Sequence, residues 1–233
     1  MNDYEETLHA TDSITTILVM VLKIVKYNAG NIQSVLFALE RIGVQAEVTD
    51  DIEKLHSADR VIFPGVGEAS TAMEYLKARN LDKVIKELKQ PVLGVCLGMQ
   101  LMCAYSEEND TECLGIFDEE VKRFVPAEVS PQAEVLVQNQ NQKQTRVRLK
   151  VPQMGWNNIY DLKSPLMKNV KEDSYCYFVH SYYASLGQRT IATTDYTKPF
   201  SAALNKDNFY GVQFHTEKSG EAGEQILRNF IEM

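Results

Sequence analysis

Short apolar runs alternate with helical spacings of apolar residues along the first half of the chain. These runs predict strands at residues 21–25, 60–63 and 91–95, and the short segment QAEVT predicts another at residues 45–49. One helix is predicted over about residues 32–42. A single long helix is predicted between the third and fourth strands, with an apolar stripe at Met73, Leu76, Leu81, Val84, Ile85 and Leu88. This alternation predicts a mostly parallel open sheet flanked by helices.

The second half of the chain has a strand-like pattern. Residues 134–151 read as two β segments joined by the polar turn QNQNQKQ. Three stretches rich in β-branched and aromatic residues predict further strands, at residues 174–185, 188–196 and 209–215. A closing helix is predicted from Ser219, as its cap, to Ile231. The fold class is therefore α/β with a β-rich antiparallel section in the C-terminal half.

The N-terminal segment does not fit this pattern. Residues 1–13 are polar and acidic, and the apolar run after them is interrupted by Lys23. A signal peptide begins with basic residues, and a membrane span needs about 20 apolar residues. We therefore expect residues 1–19 to be an appendage and residues 20–233 to form one domain, since no Pro/Gly/Ser-rich linker divides them.

Composition narrows the classes of function. With a net charge of −8 over 233 residues, the chain has no basic excess for nucleic acid or an acidic membrane surface. The four cysteines include no C-x-x-C pair, which favours a reducing, cytoplasmic location. We expect neither a metal nor an organic cofactor. Cys103 is predicted to be a small buried apolar residue.

The strongest chemical signal is Cys96 in the sequence GVCLG. Gly94 and Gly98 flank the cysteine at minus two and plus two, which is the spacing of a strand-to-helix turn that presents a nucleophile. Such a turn places the thiol at a helix N-terminus, where free N–H groups favour the thiolate. The backbone N–H of Leu97 is then a candidate donor to an oxyanion.

A nucleophilic thiolate that also releases an amine needs a partner base. Of four histidines, His9 lies in the appendage and His56 in a charged stretch. His215 and His180 each end an aromatic strand. His215 is followed at i+2 by Glu217, and in an extended segment these side chains share a face, so the carboxylate is predicted to orient the imidazole. For His180, a structural role and a ligand-binding role remain equally open.

The sequence FPGVG at residues 63–67 ends the third predicted strand. In an open α/β sheet, the loop after this strand lies beside the cysteine turn. Its glycines permit unusual backbone geometry, so its amides are candidates for the second oxyanion donor.

Together these motifs resemble the class I glutamine amidotransferases, which use a Cys-His-Glu triad. Five further segments are similar to the glutaminase subunits of imidazole glycerol phosphate synthases: KYNAGNIQSV, VKRF, KVPQMGWNNI, YFVHSYYA and YGVQFHTEKS. The resemblance runs from about Val21 to the C-terminus. Three departures from the family pattern are Lys26 and Asn28 in the first loop, Gln153 in place of a histidine, and Thr216 in place of a proline.

The resemblance implies a role for each matching residue. Cys96 would attack the carboxamide of glutamine, with His215 as proton shuttle and Glu217 orienting it. The family's remaining site residues correspond to Gly65, Val66 and Gly67 with Leu97 for the oxyanion hole, and to Gln100, Glu108, His180, Ser181 and Tyr182 for glutamine binding.

The resemblance also implies a partner. These glutaminases form heterodimers with a (β/α)8-barrel cyclase. The barrel uses the ammonia to convert N1-(5'-phosphoribulosyl)formimino-aminoimidazole-carboxamide ribonucleotide into imidazole glycerol phosphate and aminoimidazole carboxamide ribonucleotide, in histidine biosynthesis. Residues that match interface positions are Asn31, Trp156 and Lys218.

Three other interpretations of the sequence stay open. One is an amidotransferase subunit of pyridoxal phosphate, purine or anthranilate-type synthesis. A non-catalytic regulatory module on the same scaffold is another, although Cys96, His215 and Glu217 are all present. The third is a cysteine peptidase.

Overall fold

The computed structural model describes residues 20–28, 31–125, 134–138, 144–148 and 150–233. Its central sheet has seven strands, in the spatial order β13 (Thr190–Asp195), β14 (Pro199–Lys206), β15 (Phe209–Val212), β4 (Val92–Val95), β3 (Arg60–Phe63), β1 (Leu22–Val25) and β2 (Ala46–Thr49). The five strands from β15 to β2 are parallel, and β13 and β14 extend the sheet in antiparallel fashion. The predicted mostly parallel sheet is confirmed.

Helices flank this sheet. They are α1 (Ile32–Arg41), α2 (Ile52–His56), α3 (Ala69–Ala78), α4 (Leu81–Glu87), α5 (Leu97–Met102) and α6 (Gly220–Glu232), with short 3-10 turns at Pro165–Met167 and Thr216–Lys218. Side chains of β3 alternate between two buried clusters, with Val61 and Phe63 in one and Ile62 in the other. The sheet is therefore covered on both faces.

Smaller sheets make up the β-rich section. One contains β12 (Tyr182–Ala184), β7 (Glu120–Arg123), β5 (Tyr105–Ser106) and β6 (Thr111–Glu112) in that spatial order. Two antiparallel pairs complete the set, β10 (Gln153–Ile159) with β11 (Ser174–His180), and β8 (Glu134–Gln138) with β9 (Gln144–Arg148). The two predicted β segments over residues 134–151 are thus confirmed as a pair.

The single long helix predicted after β3 is wrong. The chain breaks it into α3 and α4 at Asn80, which adopts a left-handed conformation with φ of 57°. Asparagine tolerates this conformation better than most residues, and the periodicity on either side hides the break. Elements that were not predicted are the helix α2 and the strands β5, β6, β7, β10 and β14.

Two further details differ from prediction. The stretch 174–185 forms two strands, because the chain leaves β11 at Ser181 and enters the small sheet as β12. Ser219 does precede α6, but its side chain makes no cap hydrogen bond to that helix.

Some predictions fall outside the described residues, namely the appendage at residues 1–19 and the tip of the polar turn at residues 139–143. Within the residues that the structure describes, none of the helices combines the length and the apolar character needed to cross a membrane.

Candidate active site

Cys96 occupies a sharp turn between β4 and α5. Its φ of 53° and ψ of −110° are unusual for a residue with a side chain. A Cβ on Gly94 would lie 2.8 Å from the backbone nitrogen of Met99, and one on Gly98 would lie 2.9 Å from the carbonyl carbon of Phe63. Both flanking glycines are therefore required by close backbone approach, which is the geometry that the sequence predicted.

Strand pairing in the central sheet brings His215 close to Cys96. Strands β4 and β15 are parallel neighbours with Val95 opposite Val212, and the N–H of Cys96 donates to the carbonyl of Val212 at 2.8 Å. Because parallel strands bring their carboxyl ends to one edge, Cys96 and His215 line the same cavity. Residues far apart in sequence therefore meet.

Glu217 orients His215, although not for the predicted reason. The Nδ1 atom of His215 lies 2.8 Å from Oε1 of Glu217, and both side chains are buried. Glu217 stands in a 3-10 turn rather than an extended segment, so the i, i+2 argument was wrong while the contact it predicted is present. Asn31 also donates from Nδ2 to Glu217 Oε1, at 2.9 Å.

Ser219 fixes the backbone of the histidine. Its hydroxyl donates to the carbonyl of His215 at 2.6 Å and accepts from the N–H of Tyr177 at 3.0 Å. This explains why the side chain does not cap α6. The serine connects the histidine turn to β11.

The electrostatics of the site favour a protonated imidazole. Burial alone lowers the pKa of His215, but the hydrogen bonds and charges of Cys96 and Glu217 outweigh it and raise the pKa to about 10. The carboxylate and a sulfur anion thus both favour the imidazolium. His215 is consequently placed to donate a proton and to take one back.

A cavity of about 450 Å³ opens in front of Cys96. It brings together most of the predicted site residues: Asn31, Val66, Gly67, Cys96, Leu97, Gln100, Glu108, His180, Ser181, Tyr182, His215 and Lys218. Gly65, Trp156 and Glu217 do not line it, and Glu217 lies behind His215. The size suits a small polar molecule rather than a polypeptide.

Two predicted glutamine-binding residues are held firmly. Gln100 uses Nε2 to donate both to the Tyr182 carbonyl at 2.8 Å and to Oε1 of Gln213 at 3.0 Å. Glu108 accepts the N–H of Ala69 at 2.7 Å, and burial raises the pKa of its carboxyl. Each side chain keeps one polar oxygen for a ligand.

One ring nitrogen of His180 makes a structural contact, and the other is without a partner among the described residues. Its ring lies against Phe124, Phe178 and Phe200, and burial lowers its pKa to about 4, so the ring is neutral. Since the Tyr182 carbonyl 2.6 Å from Nδ1 only accepts, Nδ1 carries the proton. Nε2 is then an acceptor, buried and without a partner among the described residues, beside the cavity.

The loop at residues 63–67 holds the amide of Leu97. The Leu97 N–H donates to the carbonyl of Gly65 at 3.3 Å. Tyr27, which is buried, donates from its hydroxyl to the Pro64 carbonyl at 2.5 Å. A Cβ on Gly65 would lie 2.8 Å from Cβ of Leu97, so only glycine fits here. One predicted oxyanion donor is therefore already paired in this conformation.

An exposed apolar face lies next to the cavity, on β10 and β11. Met154, Trp156 and Tyr175 are 65%, 56% and 62% exposed. Trp156 packs edge-on against Tyr177, and Nζ of Lys218 lies 5.9 Å from the centre of the same ring. We call these five residues the β10–β11 face. Trp156 and Lys218, predicted near an interface, thus share one surface, while Asn31 contacts the triad.

Sequence reasoning missed Tyr27 and Gln213. Each stands within a motif quoted for the resemblance, close to a glycine or to the triad histidine. A polar residue inside an apolar run, as in GVQFH, was the available signal for Gln213. For Tyr27 no signal existed, since a tyrosine after a strand has many ordinary roles.

Comparison with known families decides the class of the chain. The model of the family "Glutamine amidotransferase class-I" matches residues 24–233. The chain belongs to this family. All three residues of the predicted triad fall inside the matched region.

Curated relatives in this family are similar over almost their whole length. The imidazole glycerol phosphate synthase subunit HisH of Bacteroides fragilis is 56% identical over 214 residues, which are 92% of this chain and 100% of the relative. The subunit of the same name from Bacteroides thetaiotaomicron is 55% identical over 214 residues, with the same coverage of both chains. That of Pasteurella multocida is 44% identical over 91% of this chain and 97% of its own.

Solved structures share the fold. PurLQS from Thermotoga maritima gives a TM-score of 0.62 at 16% identity, covering 92% of this chain and 99% of that one. A glutamine amidotransferase from Thermotoga maritima gives a TM-score of 0.56 at 13% identity, covering 92% and 81%. At these identities the likeness concerns the fold alone.

Proposed function

We propose that this amidotransferase is the glutaminase subunit of an imidazole glycerol phosphate synthase. The single observation that carries the proposal is the Cys96, His215 and Glu217 constellation at the edge of the sheet, with His215 Nδ1 2.8 Å from Glu217. The names of relatives up to 56% identical over the full length supply the choice of synthase. Glutamine is the substrate, and its side-chain amide is the bond that breaks.

The triad performs the reaction in two halves. The thiolate of Cys96 attacks the amide carbon of glutamine, and the imidazolium of His215 gives its proton to the amide nitrogen. The C–N bond then breaks, ammonia leaves, and a glutamyl thioester remains. Neutral His215 next takes a proton from water, whose oxygen attacks the thioester. The thiolate leaves, and glutamate is released as its new carboxyl ionises.

The oxyanion hole needs a change in the loop at residues 63–67. Leu97 donates to Gly65 in the present conformation. Rotation of the peptide between Gly65 and Val66 frees the Leu97 N–H and turns the Val66 N–H towards the cavity. Two donors then face the oxygen of the tetrahedral intermediate. Gly65 gives the loop the backbone freedom for this rotation, because the rotation changes its ψ and glycine has no Cβ.

A (β/α)8-barrel cyclase is the proposed partner. The β10–β11 face carries exposed aromatic side chains next to the cavity, and Val179 belongs both to β11 and to the cavity wall. Aromatic residues are enriched at the centres of protein interfaces. A covered route suits the chemistry, because ammonia released into water becomes ammonium and loses its nucleophilic lone pair.

Removing the sulfur tests the assignment. Cys96→Ala is expected to abolish glutamine hydrolysis, measured as glutamate release, because the glutamyl thioester cannot form without the thiol. The complex of this variant with the cyclase should still use added ammonium salts at the rate of the unaltered complex. Glutaminase turnover at the unaltered rate in the alanine variant would contradict the proposal.

A further inference from the structure

Gln213 is a buried polar residue that the proposed mechanism does not use. It lies directly after β15 and two residues before His215, and its side chain is fully buried. Burying an amide without partners is costly, so its contacts should reveal why it is there. Both of them are to residues of the site. Oε1 accepts from Gln100 at 3.0 Å, and Nε2 donates to the sulfur of Cys96 at 3.8 Å.

The surroundings determine which end of the amide faces the sulfur. The carbonyl of Tyr182 only accepts, so the atom of Gln100 that contacts it at 2.8 Å must be Nε2. The same Nε2 contacts Gln213, whose facing atom must therefore be the acceptor Oε1. The N–H₂ end of Gln213 is thus left to point at Cys96.

We propose that Gln213 is a further catalytic residue, whose amide N–H stabilises the anionic sulfur of Cys96 and whose carbonyl holds Gln100 at the glutamine site. This inference rests on the proposed glutaminase function. A hydrogen bond to an anion is stronger than one between neutral groups, and burial strengthens it further. An apolar side chain of the same length would fill the space, but it would supply no donor.

The order of contacts also connects substrate binding to the nucleophile. Tyr182, Gln100, Gln213 and Cys96 form one chain of hydrogen bonds. With both N–H groups of Gln100 engaged, its Oε1 is the remaining polar atom and an acceptor, which suits the ammonium of a bound amino acid. Movement of Gln100 on binding is transmitted through Gln213 to the sulfur.

Two variants separate the donor from the acceptor. Gln213→Met removes both functions at similar length, whereas Gln213→Glu keeps an acceptor for Gln100 and replaces the donor with a second anion. We expect Gln213→Met to lower kcat for glutamine by about 10- to 100-fold, the range for loss of a hydrogen bond to a charged group, with KM changed less. Gln213→Glu should lose more, because like charges repel.

The rate of Cys96 alkylation by iodoacetamide, followed by mass spectrometry across a pH series, is the readout that a purely structural role would not move. The midpoint of the curve of alkylation rate against pH should shift to higher pH in both variants, and further in Gln213→Glu. Gln90→Met is the matched control, since Gln90 donates to the carbonyl of Leu55 at 2.7 Å, away from the cavity. It should keep the unaltered profile and kcat.

The proposal is overturned if either folded variant, checked by circular dichroism, shows the unaltered alkylation profile and kcat. Alkylation needs no glutamine. A shifted profile in a chain that hydrolyses no glutamine would therefore count against the glutaminase assignment and not against the contact between Gln213 and Cys96.

Discussion

His180 and His215 show how neighbouring groups set the behaviour of a single residue. Each follows an aromatic stretch and each lines the cavity. His215 lies beside a carboxylate and a sulfur, and its pKa rises to about 10 despite burial. His180 lies among three phenylalanine rings, and burial lowers its pKa to about 4. His215 is therefore placed to exchange protons, whereas His180 stays neutral, and its Nε2 is an acceptor without a partner among the described residues.

The neutral His180 lowers stability in mild acid, an effect that the raised pKa of His215 opposes over the same pH range. An unfolded histidine binds a proton below about pH 6.5. In the folded chain His180 does so only below about pH 4. The contribution of His180 to the free energy of unfolding is therefore complete above pH 6.5. It falls as the pH decreases towards 4, by roughly 1 kcal/mol between pH 7.5 and 5.5.

We expect His180→Asn to remove the His180 contribution to the pH dependence of stability, since asparagine does not titrate and still offers an N–H to the Tyr182 carbonyl. Urea unfolding measures the free energy of unfolding of both chains at pH 7.5 and at pH 5.5. The quantity compared is the change in this free energy between the two pH values, because the smaller side chain lowers stability at both. His56→Asn, at an exposed position, controls for the loss of one histidine. An equal change with pH in His180→Asn and the unaltered chain would contradict the prediction.

At the scale of elements, β4 and α5 depend on glycine. Gly98 packs against the backbone of β3, where a Cβ would meet the carbonyl group of Phe63. Backbone cannot rotate away as a flexible side chain does, so α5 must shift and carry the Cys96 turn with it.

Gly98→Ala is expected to lower the free energy of unfolding by about 2 kcal/mol and glutaminase activity by at least about tenfold, since small displacements of a nucleophile are costly. Urea unfolding and glutamate release measure the two effects. Gly43→Ala is the control: its φ is 79° but the space around it is open, so it should lose about 1 kcal/mol through strain and keep its activity. Full activity in folded Gly98→Ala would show that the turn tolerates the shift.

The same elements show how far the sequence predicts this fold. The parallel strands β1, β3 and β4 are mostly apolar runs in a sheet covered on both faces, and the turn at Cys96 carries glycines whose spacing has one structural reason, so both were predictable. β14 was not, because its central Ser201, Ala202 and Ala203 have weak strand preference and pair only since β13 and β15 lie on either side. The break between α3 and α4 depends on one asparagine conformation.

The candidate site also divides into residues that a local sequence pattern predicts and residues that depend on distant contacts. Residues 96 and 215 were predicted because each belongs to a short local motif. The contacts of Gln213, Tyr27 and Asn31 join segments far apart in sequence, as in the 186-residue separation between Asn31 and Glu217, so no local pattern predicts the partners that they contact. The contact between Glu217 and His215 is present, but it was predicted from a geometry that Glu217 does not adopt.

On the scale of the whole molecule, the cavity and the β10–β11 face occupy one side. The opposite face of β11 is buried at Cys176 and Phe178, so the strand pair separates core from an exposed aromatic surface. Lys218 belongs to both the cavity wall and this surface. A partner that covers this face is thereby in contact with the residue three positions after the triad histidine.

Trp156→Ala tests this surface with the cyclase as partner. Because the side chain is 56% exposed, its loss should change the free energy of unfolding of the isolated chain by at most about 1 kcal/mol. An aromatic residue at the centre of an interface contributes about 2 kcal/mol or more, so the Kd for the cyclase, measured by calorimetry, should rise at least about 30-fold. Phe37→Ala is the matched control, since Phe37 is 53% exposed on α1 rather than on the β10–β11 face, and it should leave the Kd unchanged. Equal effects of the two substitutions would mean that association does not use this face, because an aromatic residue of similar exposure elsewhere would then matter as much.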